Sequence, residues 1–150
     1  GVIPSMQATH ATSDKNMAVD RIGDVRIQGA YAWRKLLDAG ALIANGSDFP
    51  VESPNPFFGL HASITRQDKG NDPVGGWYPE ERMTDSEAFA SFTLDAAYSG
   101  FQESLLGSLE PGKKADFIVL DRDIFAIPDS EIWQAKALET WVNGSQVHGE

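Results

Sequence analysis

The apolar run Ala41-Leu42-Ile43-Ala44 is short and continuous, and it follows a helical segment that itself follows a strand-like one. Val2 to Met6 is that first strand-like stretch, with Pro4 assigning it to an edge or a strand end. The polar residues from Gln7 to Asp20 read as a loop. From Asp24 the pattern becomes helical, because Ala30, Trp33, Leu36 and Leu37 recur at the three-to-four spacing of one apolar face; Gly40 suits a left-handed cap. Strand, loop, helix, strand is the βαβ order, which implies parallel strands covered by helices: an α/β fold.

In such folds the carboxyl ends of parallel strands open onto the ligand site. Asp48 stands just past the end of its strand, in NGSDFPVESPNP, where its carboxylate meets substrate or metal. The other reading of Asp48 is a turn, begun by an Asx hydrogen bond to nearby backbone. Pro50, Pro54 and Pro56 then stiffen the loop before a short helix carrying Phe57, Phe58, Leu60, His61 and Ile64. Residues 68–82 have no period, as expected of a functional or mobile loop. Thr84 and Glu87 form a capping box, which predicts a helix from Asp85 through Phe92 and on to Tyr98, with Gly100 as its stop. Phe117 to Leu120 predicts a strand. Leu138 to Val142 and Ser145 to His148 predict a hairpin across Asn143-Gly144.

Composition narrows the function classes. Twelve basic against twenty-two acidic residues give a net charge of -10, which repels nucleic-acid backbones and anionic lipid surfaces. With no cysteine, any metal in this chain takes carboxylate or imidazole ligands. No apolar stretch is long enough to span a bilayer. The opening GVIPSMQ carries neither an initiator Met nor a secretory leader, so further chain is expected on its N-terminal side, and the cytoplasm is the default location.

Taken together, NGSDFPVESPNPFFGLHASITRQ, TLDAAY, GSLEPGKKADFIVLDRD and TWVNGSQVH resemble the C-terminal part of a metal-dependent amidohydrolase, in the YtcJ-like or N-substituted formamide deformylase-like branch. SMQATHATSDK at the start fits the same family. The resemblance implies the C-terminal portion of a (β/α)8 TIM barrel followed by strands of a small β-sandwich. Residues 1–106 would supply barrel strand seven (Val2 to Met6), strand eight (Ala41 to Gly46) and outer helices; residues 107–150 would supply the sandwich strands. It further implies hydrolysis of a C–N bond in an amide or N-formyl compound, with Asp48 as metal ligand and proton shuttle for the attacking water. A divalent metal, zinc by the family pattern, lowers the pKa of bound water to about 7. The family's histidine ligands have no counterpart at the required places here, and catalytic zinc takes three protein ligands. The chain alone is therefore expected neither to hold the metal nor to act.

His10, with Gln7 and Thr9 beside it, follows strand seven and either faces substrate or belongs to a self-bonded polar loop. Trp77, with Tyr78, reads as a lid over the barrel mouth or a subunit contact. His61 reads as a packed or exposed helical histidine, and His148 as solvent-facing. Arg66 either recognises a substrate carboxylate or, the favoured reading, pairs structurally with Asp68 or Glu52; Glu52 either supports the metal shell or is an ordinary exposed acid; Lys113 and Lys114 read as solvated. The rival to an enzyme is a non-catalytic interaction or regulatory module. Open strand edges and bare helix faces further predict association with itself or with the missing portion.

Overall fold

Two parallel strands carry the site-bearing part of the chain, which the computed structural model describes over residues 1–149. β1 (Ser5–Met6) pairs with β2 (Ala44–Asn45), Ser5 opposite Ala44 and Met6 opposite Asn45. Amide hydrogen bonds from Ala44 to the Pro4 carbonyl and from Gly46 to the Met6 carbonyl, each 3.0 Å, knit the pair together. The parallel order matches expectation, but the strands are shorter than 2–6 and 41–46. Pro4 has no N–H to contribute to a ladder.

The segment read as a loop after β1 is mostly helix: α1 (Ala8–Asp14) starts at once, and α2 (Ala18–Arg26) follows, interrupted by Gly23 at φ 79°. Ala8, Ala11 and Thr12 are buried on one face of α1, and these small residues let it lie against α4. The single helix expected between Asp24 and Gly40 is broken. A 3-10 turn (Ile27–Gly29) and Tyr31 at φ 52° precede α3 (Trp33–Asp38). Tertiary bonds cause the break, since the Tyr31 carbonyl accepts from Arg66 Nη1 at 3.0 Å and the Tyr31 hydroxyl bonds to Asp14.

α4 (Pro56–Thr65) is the most enclosed helix, with eight of its residues buried. Asn55 Oδ1 accepts from Phe57 N at 2.9 Å, and Pro56 occupies the first helical position, where its missing N–H costs nothing. α5 (Asp85–Phe92) bears the expected capping box: Thr84 Oγ1 accepts the Glu87 amide at 3.3 Å and Glu87 Oε2 accepts the Thr84 amide at 2.8 Å. The helix stops sooner than predicted, at Thr93 (φ -125°, ψ -89°), where α6 (Leu94–Ser99) begins. The Thr93 hydroxyl bonds the Phe89 carbonyl at 2.8 Å, a local competitor for helix bonding.

β3 (Phe117–Leu120), β4 (Ala137–Val142) and β5 (Ser145–His148) form an antiparallel sheet in that order. Asn143 (φ 51°) and Gly144 (φ 75°) make the left-handed turn that the Asn-Gly pair predicted. A 3-10 segment, Asp129–Gln134, was not anticipated; it packs on α4. Through it Ile132, with Ile124 and Ala135, joins Trp33, Ile43 and Leu60 in one core, so residues on both sides of position 106 share it. The architecture is mixed α/β. Among the described residues no helix is long and apolar enough to cross a membrane.

Candidate functional site

Because Met6 lies opposite Asn45, β1 and β2 end level, and the residues that follow both strands gather at one mouth. Gln7, at φ -127° and ψ 97°, is the extended residue before α1, and its carbonyl accepts the His10 amide at 3.0 Å. This short turn brings His10 back over the strand ends. On the neighbouring strand Asp48 adopts φ 56°, a left-handed conformation that Asp tolerates better than most residues.

The result is a facing pair. His10 Nε2 lies 3.8 Å from Asp48 Oδ2, with side chains 25% and 55% exposed respectively. Nε2 is itself shut off from solvent and has no hydrogen-bond partner. At 3.8 Å the two groups are too far apart for a direct bond, which leaves the exposed carboxylate free to bind something placed against it. Asp48 does start a turn as well, its carbonyl accepting Val51 N at 2.8 Å, but that bond uses backbone and frees the side chain.

Oxygen and imidazole nitrogen donors suit a zinc-like ion, yet two donors fall short of the three protein ligands such a catalytic site needs. Among the described residues no group of three His, Cys, Asp or Glu side chains is placed to hold one. This chain can contribute ligands but does not complete a set.

Trp77 lies elsewhere, in a cluster around Arg66. Its ring stands 5.8 Å from that of Tyr31 and 4.9 Å from that of Tyr78, and the Arg66 guanidinium lies over it at 5.2 Å and over Trp33 at 4.3 Å. Arg66 is 1% exposed. It donates through Nε to the Trp77 carbonyl at 2.8 Å and through Nη1 to Tyr31, and burial lowers its pKa to about 10. Its role is structural, as the sequence suggested, but its partners are carbonyls and indoles. Asp68 instead pairs with Lys15 at 2.6 Å, and Glu52 accepts the Ser13 hydroxyl at 2.5 Å.

His61 is buried, with Nε2 3.0 Å from Asn71 Oδ1, and burial lowers its pKa. His148 is exposed. Lys113 is not merely solvated: it bonds the Ser108 hydroxyl at 2.6 Å and pairs with Glu110 at 3.2 Å.

A cavity of about 290 Å³ opens between α1 and α4, lined by residues including Thr9, Lys15, Glu52, Phe58, His61 and Asp68. The sequence reading did not anticipate it. The signal was available in Ala8, Ala11, Thr12 and Lys15, whose helical spacing turns Thr9, Ser13 and Asn16 into a second face of α1.

A parallel pair with a carboxylate at its mouth, packed under helices and joined to an antiparallel sheet, is similar to part of a metal-dependent hydrolase. An uncharacterized metal-dependent hydrolase from Pyrococcus horikoshii OT3 superposes with a TM-score of 0.74 at 28% identity, over 85% of this chain and 26% of the other. The chain belongs to the amidohydrolase family, whose model matches residues 1–148.

Its relatives include the protein LONG AFTER FAR-RED 3 of Arabidopsis thaliana, 32% identical over 98% of this chain and 25% of the relative. The putative amidohydrolase YtcJ of Bacillus subtilis is 30% identical over 95% of this chain and 27% of its own length. The N-substituted formamide deformylase of Arthrobacter pascens is 32% identical over 74% and 20%. The chain thus spans about a quarter of the length of the first two relatives. Both proteins that mark the branch read from the sequence motifs are among these relatives.

Proposed function

We propose that this chain, within a longer polypeptide, forms part of a metal-dependent amidohydrolase that hydrolyses the C–N bond of an amide or N-formyl compound. The observation that carries the reading is Asp48 facing the unpartnered His10 Nε2 across 3.8 Å at the end of two parallel strands. A divalent metal, zinc in this proposal, would polarise the substrate carbonyl and lower the pKa of a bound water towards neutrality. Asp48 is one of its ligands, and the carboxylate takes the proton of the attacking water and returns it to the leaving nitrogen. His10 and Gln7 line the approach to the carboxylate and contact the substrate. Trp77, held by Arg66 within the 68–82 loop and apart from the Asp48–His10 pair, serves as a contact residue and takes no part in the step itself.

The remaining ligands and barrel strands come from other polypeptide, which covers the open edges of β1 and β2. The reading is supported by hydrolases among both the relatives and the structural neighbours. The non-catalytic alternative has no comparable support.

The test is Asp48→Asn in a longer polypeptide carrying this sequence, assayed on N-acetyl and N-formyl amines with metal content measured in parallel. Loss of a positioned acid–base group lowers kcat/KM by about a hundredfold or more. An Asn variant with unchanged kcat/KM would remove Asp48 from the reaction.

A further inference from the structure

The cavity between α1 and α4 plays no part in the reading above, and its charges are unevenly satisfied. Lys15, with a side chain only 6% exposed, is held by Asp68 at 2.6 Å and Asp72 at 2.8 Å, so one positive and two negative charges leave this trio at minus one. Burial works against the charge on Lys15, but its bonds to Asp68 and Asp72 outweigh that and raise its pKa. Glu52 adds a second negative charge to the wall. His61 is buried in the same wall, and desolvation lowers its pKa.

The remaining charged lining residue is Lys69, which is exposed and rests its Nζ 4.6 Å from the centre of the Phe58 ring. Phe58 therefore already carries an ammonium at the cavity mouth, and it is one the chain can release. With Lys69 swung out to water, the surroundings carry a net charge of minus two, which repels anions.

We infer that this cavity binds a small organic ammonium, with Glu52 as its counter-charge and the face of Phe58 as its platform, in the seat that Lys69 fills when no ligand is present. A space of about 290 Å³ is at the lower limit for ligand pockets, so the compound is small. The site shares elements with the Asp48 mouth, since Thr9 and His10 are neighbours on α1 and Glu52 belongs to the loop that carries Asp48. Cleavage of a C–N bond releases an amine, which is protonated at neutral pH when aliphatic. The source of the ligand rests on the hydrolase reading; the binding site itself does not.

The experiment is amide-resolved NMR titration of the chain with butylammonium chloride, against sodium butyrate and sodium chloride as controls. Saturable shifts at Thr9, Ser13, Phe58 and Lys69 are expected with butylammonium alone. Lys69→Met removes the internal competitor, a cation–π contact of an exposed site, and should tighten butylammonium binding about two- to fivefold. Glu52→Gln should weaken it about fivefold or more. Absence of saturable binding, equal binding of butyrate, or weaker binding by Lys69→Met would overturn the inference.

Asp48→Asn should leave butylammonium affinity unchanged, so failure of the catalytic reading and failure of this one are separable. In a longer active polypeptide, product inhibition by butylammonium identifies the leaving amine as the ligand. A lower KM for amides with a distal ammonium than for their neutral counterparts identifies a substrate arm.

Discussion

Replacing Glu87 by Gln removes a charge while keeping a side chain that can still close a capping box, so it isolates electrostatics from helix geometry. In the structure both carboxylate oxygens are engaged: Oε1 accepts Arg34 Nη1 at 2.9 Å, and Oε2 takes Arg34 Nη2 together with the Thr84 amide at 2.8 Å and the Thr84 hydroxyl at 2.9 Å. The Arg34 bond is the main reason the Glu87 pKa falls from 4.5 to about 2. At about 1.4 kcal/mol per pKa unit that difference sets a ceiling of about 3.4 kcal/mol. The side chains are 26% and 31% exposed, and solvent screening brings the expected value down to about 1–2 kcal/mol.

Glu87→Gln should therefore lower the melting temperature at pH 7 by about 2–8 °C. A folded-state pKa below the unfolded one means that the contribution is fully present above pH 4.5 and is lost as pH falls towards 2. Urea or thermal unfolding of both proteins followed by circular dichroism at pH 7, 5 and 3 should show the gap closing only at the acid end. A gap of the same size at pH 3 as at pH 7, or no gap at pH 7, refutes the reasoning.

Arg66→Ala deletes two hydrogen bonds to the carbonyls of Tyr31 and Trp77 and the cation between two indoles. Relief of buried charge offsets part of the loss, leaving a cost of about 2–4 kcal/mol, read from urea unfolding with a change in tryptophan fluorescence. A loss below about 1 kcal/mol would show that the 68–82 loop does not hang on this residue. At Gly59, a new Cβ would run into the ring of Phe92, so Gly59→Ala should cost about 1–3 kcal/mol. Combining it with Phe92→Leu should recover much of that, and strictly additive losses in the double-mutant cycle would deny the contact.

The elements read correctly from sequence are those whose determinants lie within a few residues of one another. Thr84 and Glu87 satisfy each other's backbone across one turn, and Asn143-Gly144 sets its own turn. Asn55-Pro56 likewise starts α4 where the prolines of the preceding loop end. Asp48 was legible for a related reason, since its place after an apolar strand needs no distant partner to define it. The misread elements depend on distant groups. α1 looked like a polar loop because its buried face is only Ala8, Ala11 and Thr12, whose burial arises from docking on α4. The break near Tyr31 needs Arg66, and the Lys15 clamp needs Asp68 and Asp72.

The order of the strands, the family and the carboxylate at the strand end were already present in the residues, because period, capping and turn chemistry act over short spans of chain. The pairing of His10 with Asp48, the burial of Arg66 between Trp33 and Trp77, and the charge around the α1–α4 cavity were settled only by tertiary packing. Each brings together groups far apart in the chain, and their distances depend on how the helices lie against one another, which no local pattern encodes.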